Sequence, residues 1–183
     1  MRLEYIKGRM DKKQIKSKNT SYNWMRCFTL KRQIRAIIVF VFISLATGLV
    51  AGLISSGAMA DYAAMTKPPF APPGYIFPII WTVLYILMGI GAGLVWCAHS
   101  PFRETGICLY ALQLAVNFLW PIIFFVEGWY FAAFLWLLLL LALVIAMTYT
   151  FYRAKPLAAY LQAPYIVWLV FAGILNLWIA LTN

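Results

Sequence analysis

Five long apolar runs constrain this chain more than any other feature. They cover roughly residues 36–56, 75–98, 106–126, 129–152 and 157–181. Each meets the ~20 residues that a helix needs to cross the hydrocarbon layer of a bilayer. Backbone polar groups in lipid must be satisfied within the segment or within a closed barrel. The runs lack the alternation of a membrane strand, so each is expected to be a helix. The expected fold is an all-α membrane protein, a bundle of five transmembrane helices. Composition agrees: 64% of residues are apolar and 11% charged, against about 45–50% and 25% in soluble domains.

The formal net charge of +10 suggests nucleic acid until it is located. Eleven of the 15 Lys and Arg residues precede residue 36, so the charge belongs to an N-terminal stretch and no nucleic-acid partner is expected. Residues 1–35 cannot bury enough apolar surface to fold alone and are expected to form a largely disordered basic tail. Residues 36–183 form the membrane domain. A cleaved signal peptide does not fit, because the basic region is too long and no short apolar segment ends in a small-residue cleavage site. Basic loop residues set orientation. The tail, Arg103, Arg153 and Lys155 fall on one side and Lys67 on the other, which predicts a cytoplasmic N-terminus and a C-terminus on the opposite side. The tail is also suited to contact anionic lipids.

Several chemistries are disfavoured. Ionisable side chains within the membrane mark ion pathways and proton relays, and here Asp61, His99, Glu104 and Glu127 fall in loops or at helix ends. No His, Cys or carboxylate pair has metal-ligand spacing, and no nucleophile stands beside a base. No catalytic residue, metal or required cofactor is expected. Cys27, Cys97 and Cys108 are odd in number and show no metal spacing, and Cys97 and Cys108, in or beside apolar segments, read as small apolar residues.

The helices carry tryptophan, tyrosine and amides instead. Trp81, Tyr85 and Met88 share a helix face, as do Gln113, Asn117, Trp120 and Phe124, and Trp168, Ala172 and Asn176. Trp129 and Trp136 are seven apart, and Trp129, Tyr130 and Trp178 suit an interfacial belt. Buried amides need partners. They either join helices or line a small-molecule pocket with aromatic walls, and spacing leaves both open. Pro78, Pro121 and Pro164 are expected to kink helices 2, 3 and 5. The segments Gly48–Gly52 and Gly89–Gly93 match GxxxG, which permits close helix contact within the bundle or across a dimer. The loop 57–74 is expected to be stiff, because it contains Pro68, Pro69, Pro72 and Pro73.

Three stretches together resemble the TspO/MBR family, the tryptophan-rich sensory proteins related to the translocator protein. The first runs from Lys67-Pro68-Pro69-Phe70-Ala71-Pro72-Pro73 into Pro78-Ile79-Ile80-Trp81-Thr82-Val83-Leu84-Tyr85-Ile86-Leu87-Met88-Gly89. The second is Gln113-Leu114-Ala115-Val116-Asn117-Phe118-Leu119-Trp120 with Phe124-Phe125. The third is Pro164-Tyr165-Ile166-Val167-Trp168 with Phe171-Ala172 and Leu175-Asn176. The resemblance covers about residues 36–183. It implies a five-helix bundle, often a homodimer, that binds porphyrins, haem-related tetrapyrroles or other lipophilic ligands. It further implies a pocket walled by Trp81, Tyr85, Asn117, Trp120, Phe124, Trp168 and Ala172. Lys67, Pro68, Pro69, Phe70, Pro72 and Pro73 would form its lid, and Gln113 would hold helix 3 in register. A sensory or stress-linked role, porphyrin transport, or light-dependent porphyrin degradation would each suit such a site. The chain departs from the family at Asp61-Tyr62, where Trp-Tyr is usual. It also lacks the Tyr and following basic residue of the sterol motif near the C-terminus of animal members.

Overall fold

A computed structural model describes residues 30–58 and 65–183. The expected tail up to residue 29 and the Asp61-Tyr62 pair lie outside them. The first helix, α1, runs Leu30–Ser55, six residues ahead of its expected start. Leu30 and Ile34 continue its apolar run, while Lys31, Arg32 and Arg35 can extend their charged ends away from it. A 3-10 turn, Ser56–Ala58, follows. Then come α2 (Ile76–Trp96), α3 (Arg103–Pro121), α4 (Tyr130–Ala154), the short α5 (Pro156–Tyr160) and α6 (Ala163–Thr182). Helices α5 and α6 together form the fifth span, and all five spans are long and apolar enough to cross a membrane.

The three prolines act differently from one another. Pro78 is in the first turn of α2 and Pro164 at the start of α6. Neither removes a ladder bond there, since first-turn N–H groups have no intrahelical acceptor, so neither interrupts the helix that it starts. The fifth span breaks earlier, at Leu161–Gln162 between α5 and α6. Pro121 does interrupt the ladder. It ends the α-helical part of the third span, and Ile122–Val126 continue as a π-helical turn. Glu127 N–H then bonds Ile122 O at 3.0 Å, five residues back. Gly128 follows with a φ of 67°, a left-handed conformation that glycine adopts without steric cost.

Close contact of α1 with α2 uses the Gly89–Gly93 segment and, from the other GxxxG segment, Gly48. A Cβ on Gly93 would lie 2.6 Å from the Ile37 Cα, and one on Gly89 would strike the Val41 backbone. Ile37 and Val41 are one turn apart, so the Gly89–Gly93 face is filled from within the chain. On the other segment, Gly48 faces the Tyr85 ring, while Gly52 has nothing within 4 Å. Ser44 and the Tyr110 hydroxyl add a 2.7 Å hydrogen bond between α1 and α3.

Candidate functional site

The interior of the bundle holds two connected features, a polar network and an aromatic seam. The network joins α2, α3 and α6. The Tyr85 hydroxyl donates to Asn117 Oδ1 at 2.6 Å. Asn117 Nδ2 donates to the Tyr165 hydroxyl at 2.7 Å. That hydroxyl donates in turn to Gln113 Oε1 at 3.0 Å, and Gln113 Nε2 reaches the Met88 sulfur at 3.6 Å. Every hydrogen of the two phenols has an acceptor. Gln113 is 0% exposed and Asn117 2%, so no water serves them, and each uses the others. The two amides therefore join helices. Tyr85 and Asn117, expected on a ligand wall, direct their polar ends at each other, and the Tyr85 ring meets Trp81 in the seam.

Beside the network, α2 and α6 meet through rings. Trp81 lies 5.6 Å from Tyr85 and 6.1 Å from Tyr165 between ring centroids. One turn away along α2, Phe77 meets Trp168 edge-on at 5.8 Å. Trp168 leans on Phe171 at 5.3 Å, and Phe171 touches Phe70 of the proline segment at 6.3 Å. The α3 side adds Trp120 stacked on Phe124 at 5.2 Å. The Trp120 indole N–H donates to Asn176 Oδ1 at 3.3 Å, and Asn176 Nδ2 donates to Tyr130 O at 2.8 Å. The π-helical turn places both Phe124 and Phe125 against Trp120. A small apolar cavity of about 10 Å³ lies among Phe77, Trp120, Phe124, Phe125, Ala172, Leu175, Asn176 and Ile179. It has room for about one water-sized sphere.

Of the residues expected on the wall, Trp120, Phe124 and Ala172 line this cavity. Trp81 and Trp168 stand in the adjoining seam, both half-buried. One polar atom there is unsatisfied: Trp168 Nε1 is buried and has no acceptor among the described residues. Gln162 Oε1 is likewise buried and unpartnered, but it sits at the α5–α6 break, where its Nε2 caps Ala158 O at 3.1 Å. The proline segment is built as a strap. Ala71 N–H bonds Pro68 O at 3.0 Å, closing a turn over Pro69-Phe70, and Ile76 N–H bonds Pro73 O at 3.0 Å, leading into α2. Pro68 is buried, Lys67 and Pro72 are intermediate, and Pro69, Phe70 and Pro73 are exposed. Sequence reasoning gave no role to Tyr165, Phe77 or Phe171. Tyr165 and Phe171 stand inside the quoted third motif, but only the packed bundle identifies their partners. Among the described residues no group of three or more His, Cys, Asp or Glu side chains could hold a metal.

The sequence matches known proteins over this same region. A model of the TspO/MBR family matches residues 38–181. The translocator protein of Bos taurus is 40% identical over 121 residues, which cover 63% of this chain and 70% of that protein. Protein CrtK of Rhodobacter capsulatus is 35% identical over 131 residues, covering 70% of this chain and 81% of the relative. The tryptophan-rich protein TspO of Chlorobaculum tepidum is 29% identical over 157 residues, covering 84% and 99%.

Proposed function

We propose that this chain, which belongs to the TspO/MBR family, binds a tetrapyrrole of the porphyrin class in the seam between α2 and α6, in a sensory or stress-linked role. It is an integral, multi-pass membrane protein. The observation that carries the ligand reading is the aromatic seam with the unpartnered Trp168 indole N–H inside it. A porphyrin is a flat apolar disc with carboxylate edges. Ring faces from Trp81, Trp168, Trp120 and Phe124 suit the disc, each aromatic pair contributing about 0.5–1.5 kcal/mol beyond area burial. A buried donor without an acceptor costs about 1–3 kcal/mol, and a ligand acceptor placed there recovers that cost.

Ligand pockets span roughly 300–1,000 Å³, far above the present cavity. Binding therefore requires α2 and α6 to part along the rings. The ring contacts between them are edge-on at 5.8 and 6.1 Å, which leaves aromatic faces to be covered by a ligand. The observation favours binding over a proton-coupled or metal-dependent activity. Titration of the purified protein with protoporphyrin, read by tryptophan quenching, tests the reading. Trp81→Ala and Trp168→Ala are each expected to weaken binding by about tenfold or more, the equivalent of ~1.4 kcal/mol or above. Unchanged affinity in both would remove the site.

The proposal includes orientation. Arg103, Arg153 and Lys155 flank α3, α4 and α5 at one end of the bundle, and Lys67 with Glu127 lies at the other. Basic loops stay cytoplasmic, which supports a cytoplasmic N-terminus. A reporter fused after Asn183 that is active only outside the cytoplasm should be active; a silent one would reverse the orientation.

A further inference from the structure

Positions 171, 175, 179 and 183 form one row along α6 at helical spacing, each four residues from the next. Phe171 touches Phe70 of the strap. Leu175 and Ile179 line the cavity. Asn183, the last of the row, grips the strap at its other end: Thr66 N–H donates to Asn183 Oδ1 at 3.1 Å, and Asn183 Nδ2 donates to Thr66 O at 3.0 Å. One side-chain amide thus pairs with both backbone groups of one residue, 117 positions away in sequence. The two contacts bracket the cavity residues, with Met65 and Ala71 packed against the core on either side of the turn.

We infer that Asn183 is a positioning residue, the latch that holds strap residues 65–71 along α6 and so governs access to the cavity and seam. The inference rests on the pocket reading for its ligand, but not for the latch itself. The physical case is the pairing. The strap's apolar side chains already pack on the bundle, but a backbone N–H and C=O at exposed Thr66 can turn to water, so at this end the Asn183 amide is what ties the strap's backbone to α6. Asn is suited to this, because its amide offers a donor and an acceptor side by side. Asp lacks the donor and Ala lacks both. Asn183 has further anchors that hold its amide in place: its Nδ2 also reaches Ile179 O at 3.2 Å, and its backbone N–H bonds the same carbonyl at 3.0 Å.

The test uses the full chain in nanodiscs and two readouts. Hydrogen exchange of the peptide spanning 65–71 reports the latch. Asn183→Ala is expected to speed it about tenfold, the scale set by losing two ordinary hydrogen bonds, with Asn183→Asp in between. The second readout is maleimide labelling of Leu175→Cys, in a background with Cys27, Cys97 and Cys108 changed to Ser. Adding Asn183→Ala should raise that rate several-fold. Protoporphyrin association and dissociation should accelerate in parallel. Unchanged exchange at 65–71 overturns the latch. Faster exchange with unchanged Leu175→Cys labelling overturns its control of access. Faster labelling in a chain that binds no porphyrin leaves the latch standing and removes the ligand reading instead.

Discussion

Asn117→Leu is expected to destabilise the bundle by about 2–3 kcal/mol, although the two side chains are close in volume. The loss removes the acceptor of the Tyr85 hydroxyl and the donor to Tyr165 in one step. The Tyr165 hydroxyl keeps its bond to Gln113. The Tyr85 hydroxyl loses its acceptor, and, buried in the bundle, it has no water to turn to. An orphaned buried donor costs about 1–3 kcal/mol, and interhelical hydrogen bonds in membranes average nearer 0.6 kcal/mol with a maximum near 1.7. Most of the expected loss is therefore the orphan, not the bond. This distinction is measurable. Tyr85→Phe combined with Asn117→Leu should recover much of the loss, since both ends of the strongest bond are gone, and a double-variant cycle should give a coupling of at least ~1 kcal/mol. Thermal or denaturant unfolding in detergent reads both. Additive losses would mean that Tyr85 and Asn117 act independently.

Gly93→Val should cost about as much or more, by a steric route. The Cβ alone falls 2.6 Å from the Ile37 Cα, which is backbone and cannot rotate away, and Val41 stands in the same position to Gly89. Branching at the Cβ enlarges the clash, so α1 must separate from α2. Overpacking costs typically about 1–3 kcal/mol and occasionally more, and a clash with backbone belongs at the upper end. The separation also pulls on Ser44 and Phe40, which bind Tyr110 through a 2.7 Å hydrogen bond and a 5.5 Å ring contact. Gly52→Ala provides the contrast. Nothing lies within 4 Å of that Cβ, so helix propensity alone acts, and a gain of up to about 1 kcal/mol is expected. Equal losses at positions 52 and 93 would mean that α1 is held by something other than the close Gly face.

The five spans were legible because hydropathy and length suffice to find them. Their internal structure was not. The apolar run of the fifth span passes unbroken through Leu161–Gln162, so composition shows one helix where α5 and α6 meet at a turn. Pro164 held the signal, since proline fits the first turn of a helix better than its middle. The π-helical turn after Pro121 changes register without changing hydropathy, and it brings Phe124 and Phe125 to one ring of Trp120. Amide stripes on α3 were visible, but spacing could not choose between a pocket wall and a strut. The choice depends on Tyr165, which sits on another helix. The GxxxG pattern showed that close contact was available without naming α1 as the partner of Gly89 and Gly93. The pairing of Thr66 with Asn183 has no local signature at all.

The central claim concerns where a tetrapyrrole sits, and the structure of the protein with protoporphyrin bound tests it most directly. With protoporphyrin bound, α2 and α6 are expected to be parted, with the macrocycle between Trp81 and Trp168 and an acceptor of the ligand within hydrogen-bond distance of Trp168 Nε1. A macrocycle lying on the outer, lipid-facing surface, with Phe77 still against Trp168 at 5.8 Å, would contradict it.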